Sequence, residues 1–412
     1  MSWARHGELR GRGWLAPWGR WRTGSRLPAW QTSGVNYYPG RAIVDLDAIR
    51  DNVIRLRECA PTAQVMAVVK GDAYGHGLVP AARAALRGGA TWLGAAQVPE
   101  ALALRAAGIT APVLTWLYGP GAPLAQVIEA DIDISAPAPW ALAEIADAAR
   151  ATGRAARVHL KVDTGLARGG SFLEDWTAML HDAVRWQADG VVTVVGVWSH
   201  LARADEVDHP SVLDQFDVFA EAVRRAEAAG AALEVRHLAN SAATISVPQV
   251  HYDLVRPGIA VYGLSPMPVT HPSAEVGLVP AMRLEADLHV VKDAGPGQGV
   301  SYGHTYTTSY PTTLATVPLG YADGIPRRAS NVGPVQVAGH QVRIAGRVCM
   351  DQFVLDVRDL PVSAGDTAVL FGNGSAGEPT AQDWADAVGG ISYEIVTQIG
   401  PRVPRIYRGE GA

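Results

Sequence analysis

The chain has 412 residues, 48% apolar and 18% charged, with a formal net charge of -5. That composition supplies a large packed core and excludes global disorder. The charge balance is not that of a nucleic-acid binder. No window approaches the roughly 18 uninterrupted apolar residues of a membrane span. Cys59 and Cys349 form neither a disulfide framework nor a zinc-ligand pattern, which fits a reducing cytoplasm.

Residues 1–40 stand apart, with five of the twelve tryptophans and six arginines against one acid, Glu8. No apolar signal-peptide region is present. The segment is expected to be a disordered extension, with translation starting near Val35. From Ala42 the pattern is regular. Ala42–Leu46 reads as a strand, and Asp47 as the N-cap of a helix through Cys59. Apolar strands then alternate with helices. The strands are Val65–Val69, Trp92–Ala95, Pro112–Leu117, Ile132–Ser135, Ala156–Val162, Val191–Trp198, Leu233–Leu238 and Leu254–Val255. The helices are Leu78–Leu86, Glu100–Ala107, Pro139–Ala151, Leu173–Gln187, Ser211–Ala229 and Ser241–Ile245. About eight repeats predict a (β/α)8 barrel over 41–280, with a doubly wound sheet as the structural alternative and the first strand open to joining a β domain. Residues 281–412 show short strands between Gly- and Pro-rich turns, with only Gln382–Ala387 helical, and read as a mainly β domain.

The chain has three lysines, Lys70, Lys161 and Lys292, against thirty-two arginines. Arginine cannot become a nucleophile at neutral pH, whereas lysine can. Two of the lysines close apolar strands, as do His200, Asn240 with Ser241, and Arg256. In a parallel barrel those strand ends share one face, where catalysis takes place. A lysine at such a mouth loses hydration, its pKa falls, and the neutral amine can form a Schiff base with an aldehyde such as pyridoxal 5'-phosphate. Strand ends must nevertheless be polar for purely structural reasons.

The segment Val68-Val69-Lys70-Gly71-Asp72-Ala73-Tyr74-Gly75-His76-Gly77 resembles the cofactor-lysine signature of alanine racemases. The resemblance extends over residues 41–407 through Ala67–Gly77, His159–Arg168, Trp198–Glu206, His237–Ala243, Val255–Leu264, Val300–Thr307, Gly320–Gly324 and Gly346–Gln352. It implies an isomerase that interconverts L-alanine and D-alanine on pyridoxal phosphate, supplying D-alanine for peptidoglycan. It implies that Lys70 carries the cofactor and works on one substrate face, while Tyr302 of a partner chain works on the other in a head-to-tail homodimer. His200, Arg256 and Arg168 would lower the Tyr302 pKa, the first two as a hydrogen-bonded relay. Arg256 would face the pyridine nitrogen and leave it unprotonated. Ser241, the amides near Gly258 and Ile259, and Tyr74 would hold the phosphate. Arg168, Met350 and Tyr302 would meet the substrate, with Asp351 beside Met350. Lys161 matches a lysine carbamylated in many relatives. Tyr321, Asp205, Arg327 and Arg347 match residues lining the way in.

One departure from the family concerns a tyrosine that contacts the phosphate. The C-terminal alignment puts Pro401 there and leaves Tyr407 as the substitute. Gly372-Asn373-Gly374-Ser375-Ala376-Gly377 matches a dinucleotide fingerprint but lacks the βαβ context, so a loop is expected. No spacing suggests a metal site. The competing readings are a racemase of broader scope acting on serine or longer side chains, a decarboxylase, and a non-catalytic cofactor-binding protein.

Overall fold

The computed structural model describes residues 39–206 and 208–412. The Trp- and Arg-rich start and the expected beginning near Val35 lie outside the described residues. Eight parallel strands follow one another around a barrel: Gln64–Val68, Trp92–Gln97, Val113–Leu117, Asp133–Ala136, Ala156–Lys161, Val192–Trp198, Val235–His237 and Leu254–Val255. The last pairs in parallel with the first. The gap between the seventh and eighth is bridged by Asp253 N–H to the Arg236 carbonyl at 3.1 Å and Arg256 N–H to the Ala239 carbonyl at 2.9 Å. The strands are apolar runs because both faces are covered. Inside, Met66, Trp92, Leu114, Val195, Val235 and Leu254 pack into one cluster that fills the barrel.

The helices bury one stripe each against the strands. Leu46–Cys59 buries Ile49, Val53 and Leu56 completely. Its cap is Asp45, whose carboxylate accepts the Ala48 N–H at 3.0 Å, rather than Asp47. Asp47 sits in the first turn and pairs with Arg50 at 2.8 Å. Leu124–Glu129, not anticipated from the sequence, is a six-residue helix between the third and fourth barrel strands.

Gly40–Asp45 belongs to the β domain, not the barrel. It pairs antiparallel with Met282–Asp287 and parallel with Arg405–Arg408. Thr367–Phe371, Pro334–Val337 and His340–Arg343 complete this six-stranded sheet. A second sheet joins Val290–Ala294, Thr312–Val317 and Phe353–Arg358. The domain carries two helices, Ala381–Val388 and Ser392–Thr397, where the sequence suggested one. One contiguous apolar core runs through barrel and β domain together. The glycine-rich 372–377 segment is a loop folded onto the buried Glu378, whose carboxylate accepts the Gly374 and Ala376 N–H groups at 3.3 and 2.9 Å. That carboxylate occupies the amides a phosphate would need.

Candidate active site

The ends of five barrel strands supply the floor of a cavity of about 380 Å³, lined among others by Lys70, Lys161, His200, Ser241 and Arg256. Lys70 leaves the first strand and enters an unusual turn. Gly71, Asp72, Ala73 and Tyr74 have φ of 63°, 52°, 56° and 53°. The left-handed region costs L-residues roughly 1–2 kcal/mol each. The turn is held from several sides. Glu100 accepts the Gly71 N–H at 2.6 Å, Asp72 accepts the Leu78 N–H at 2.7 Å, and Arg405 donates to the Gly75 carbonyl at 2.9 Å. Nδ1 of the fully buried His76 lies 3.0 Å from both the Ala73 and Tyr74 carbonyls. The result aims Lys70 and Tyr74 into the same cavity.

Arg168 reaches the cavity from a loop wound around Asp163. That carboxylate accepts N–H groups from Gly165, Ala167 and Arg168 at 2.9–3.0 Å. Burial would raise the Asp163 pKa, but these donors hold it down. Trp198 forms a wall, with Lys161 Nζ 4.4 Å and the Arg256 guanidinium carbon 5.0 Å from its ring centroid. Asn240 caps the helix Ser241–Ser246 by accepting the Ala243 N–H at 3.1 Å. Ser241 is thereby free to turn its oxygen to the N–H groups of Gly258 and Ala260, at 2.8 and 3.4 Å.

The electrostatics are lopsided. Burial lowers the Lys70 pKa, with help from Arg168 and Arg256. Burial, Arg256 and Arg168 push Lys161 down to about 8. Burial lowers Arg256 to about 9. Burial and the same cations hold His200 well below the imidazole range. Cations therefore crowd a site in which Asp205 is the acidic lining residue. The crowding is relieved by a ligand carrying negative charge.

The predicted residues separate into two groups. Lys70, Tyr74, Lys161, Arg168, His200, Asp205, Ser241, Arg256, Gly258 and Ile259 line the cavity. Tyr302, Tyr321, Arg327, Arg347 and Met350 lie on the β domain away from it. Tyr302 is 71% exposed and Met350 53%. The Tyr302 loop is fastened by Ser301 Oγ donating to the Arg347 carbonyl at 2.7 Å, and Asp351 pairs with Arg402 at 2.7 Å.

Two expectations are corrected. Tyr407 does not reach the cavity. It lies in the edge strand Arg405–Arg408, where a Cβ on Gly77 would fall 2.0 Å from its hydroxyl. The lining tyrosine is Tyr393, from the helix Ser392–Thr397, with its ring 6.2 Å from that of Tyr74. It was missed because six helical residues give too little periodicity to place a side chain; a tyrosine three residues beyond the Gly389-Gly390 break was the available signal. The second correction concerns Arg256. Its guanidinium bonds to His237 Nδ1 at 3.3 Å and to the Ser199 and Leu238 carbonyls at 2.6 and 3.3 Å, not to His200. Trp116, Trp198 and Ile391 also line the cavity.

A (β/α)8 barrel with a desolvated lysine at its C-terminal mouth, joined to a β domain, defines a fold class shared with known racemases. The family model "Alanine racemase, N-terminal domain" matches residues 44–266, and "Alanine racemase, C-terminal domain" matches 281–407. This chain belongs to the alanine racemase family. It is 65% identical to an alanine racemase of Beutenbergia cavernae over 90% of this chain and 98% of that one. It is 58% identical to one of Frankia casuarinae over 89% and 95% of the two chains. The alanine racemase of the D-cycloserine producer Streptomyces lavendulae superposes with a TM-score of 0.90 at 55% identity, covering 91% of this chain and 98% of that one. That of Streptomyces coelicolor A3(2) gives 0.89 at 54%, covering 90% and 98%.

Proposed function

We infer that this chain interconverts L-alanine and D-alanine with pyridoxal 5'-phosphate held on Lys70, as a homodimer in which Tyr302 of a second copy completes each site. The observation that carries the reading is the Lys70 amine, desolvated and flanked by Arg168 and Arg256 on the cavity floor. The residues present fit the cofactor. Surplus positive charge suits its phosphate, and the hydroxyls of Tyr74, Tyr393 and Ser241 line the same cavity as Gly258. When bound, the cofactor supplies a carbonyl carbon for the lysine and a conjugated ring that spreads charge from the substrate α-carbon.

The chain's own residues then divide the work. Arg256 offers only donors, so it leaves the ring nitrogen unprotonated and favours return of the proton over its loss to the ring. Arg168 and, from the second copy like Tyr302, the Met350 amide hold the substrate carboxylate. Lys70 Nζ takes or gives the α-proton on its own face. Inversion needs a second proton carrier on the opposite face, and Tyr302 Oη is that carrier. Its exposure on the β domain supports delivery from another copy. Lys161, with its amine pushed down to about 8, is available for carbamylation, and the resulting anion would hold Arg168. The resemblance further implies a cytoplasmic enzyme whose D-alanine serves peptidoglycan. Among the described residues no helix is long and apolar enough to cross a membrane.

The test combines the visible spectrum of the purified enzyme with exchange of the alanine α-hydrogen in deuterium oxide. Cofactor absorbance with exchange and racemisation supports the reading. Absorbance without exchange would leave a cofactor-binding protein, carbon dioxide release a decarboxylase. Faster turnover of serine than of alanine would indicate broader scope.

A further inference from the structure

A line of hydrogen bonds that the scheme above does not use runs from the cavity through the barrel. It begins at Arg256, whose Nη1 lies 3.3 Å from His237 Nδ1. His237 Nε2 is 2.8 Å from His159 Nδ1, and His159 Nε2 is 3.0 Å from Asp133 Oδ2. The other Asp133 oxygen accepts from Arg157 Nε at 2.9 Å, and Arg157 forks onto Glu234 through two bonds of 3.0 Å. His159 and His237 are fully buried and Asp133 nearly so. Asp133 opens its strand, whereas Arg256 follows the end of another. In a parallel barrel these are opposite mouths.

The polarity of this line is fixed from both ends. An arginine only donates and a carboxylate only accepts. His237 therefore accepts at Nδ1 and carries its proton on Nε2. That proton points at His159 Nδ1, so His159 also carries its proton on Nε2 and gives it to Asp133. Both rings are neutral, and an added proton would set two donors face to face. Burial and Arg256 hold His237 far below the imidazole range, while His159 and Arg157 hold the Asp133 carboxyl down against its burial. Packing fixes the rings as well. Trp198 stacks flat on His237 with centroids 5.7 Å apart, and Trp92 meets His159 edge-on at 5.5 Å. A Cβ on Gly196 would fall 2.8 Å from His159 Nδ1, so the barrel leaves that space to the ring.

We propose that Asp133 and His159 are positioning residues for racemisation, which act through His237 to fix the orientation and charge of the Arg256 guanidinium where it meets the cofactor ring nitrogen. This rests on the functional reading above. A mere polar filling of the barrel would leave the reaction indifferent to the line's polarity.

The test uses the full-length holoenzyme with 15N-labelled histidine. Both rings are expected as neutral Nε2–H tautomers at neutral pH. An Nδ1–H tautomer or an imidazolium in either ring overturns the proposal. Next, His159→Leu is expected to lower kcat roughly tenfold at nearly unchanged KM, the effect of weakening a hydrogen bond to a charged group. His159→Gln restores most of it, because one amide can donate to Asp133 and accept from His237. It should also restore the pH titration of the cofactor absorbance that the Leu variant shifts. Wild-type kcat in a folded Leu variant, or equal losses in the Leu and Gln variants, refutes the idea. Should His159→Leu fail to fold, Asp133→Asn takes its place; it keeps an acceptor, removes the charge and is expected to lower kcat, and wild-type kcat there refutes. The tautomers are read without turnover. A holoenzyme that shows them but does not racemise would sink the functional reading alone.

Discussion

Gly258 shows how closely the cavity wall is fitted. What excludes a side chain at this position is space. A Cβ there would lie 2.2 Å from the Tyr74 hydroxyl and 3.0 Å from the carbon bearing it. Tyr74 has nowhere to withdraw, since its ring packs against Tyr262 and Tyr393 with centroids at 5.1 and 6.2 Å and its backbone sits in the left-handed turn. Overpacking of this kind costs about 1–3 kcal/mol. At about 2–4 °C per kcal/mol for a chain this large, Gly258→Ala lowers Tm by a few to ten degrees. It also displaces the hydroxyl expected on the cofactor phosphate. Tyr74→Phe removes that hydroxyl without a clash. It loses a bond to a charged group, about 1.5–3 kcal/mol, so cofactor binds roughly ten- to a hundredfold more weakly while Tm of the cofactor-free protein barely moves. The double variant regains most of the lost Tm, because only the 3.0 Å contact remains. Thermal denaturation and fluorescence titration of cofactor measure both effects. A Gly258→Ala protein with wild-type Tm and affinity, or a double variant no more stable than Gly258→Ala, refutes the reasoning.

Tyr302→Phe leaves the cofactor absorbance intact and lowers racemisation by about 10²–10⁴-fold, the usual contribution of a general acid–base group; unchanged turnover excludes the two-sided scheme. Lys161 stays charged up to about pH 10.5 in the unfolded chain, but its pKa is pushed down to about 8 in the fold. Between about pH 8 and 10.5 the unfolded state binds more protons, so stability rises with pH by up to about 3 kcal/mol. In carbon-dioxide-free buffer that slope should vanish in Lys161→Met, and 13C-labelled bicarbonate should give a carbamate resonance from the wild type. His76 is lowered to about 4, mainly by burial. Its stabilising neutral state is fully present above about pH 6.5 and lost as pH falls toward 4, about 3 kcal/mol in all. His76→Asn keeps a donor for the Ala73 and Tyr74 carbonyls and should flatten that acid limb in urea titrations; an unchanged limb would assign it to other groups.

The barrel was legible because parallel strands covered on both faces must be apolar runs, and runs such as Val65-Met66-Ala67-Val68 are hard to read otherwise. Lys70 was legible because the chain uses arginine almost everywhere else. What escaped was short or relational. Leu124–Glu129 spans six residues and Pro334–Val337 four, too few to show a period. Asp45 and Asp47 are both acids near one helix start, and only the extended backbone at Asp45, φ -87° and ψ 106°, marks the cap. Arg157 and His159 sit two apart in one strand, which places both on one face, and that pattern does signal a polar stripe. Its partners are Asp133, in another strand, and Glu234, just before a third, and only closure of the barrel brings them together.

The strained turn and the buried line address one problem from opposite sides. The proposed function requires the Lys70 amine and the Arg256 guanidinium to stay in register while both are pulled out of water. The turn fixes the amine: three successive L-residues with positive φ cost roughly 3–6 kcal/mol together, and Glu100 and Arg405 offset that by tying its backbone to separate elements, while His76 closes on its carbonyls from within. The cation is fixed by donors and acceptors that admit one arrangement. In both cases the free energy stored away from the reacting atoms is spent on their placement, so the most informative variants are those whose side chains never touch the substrate.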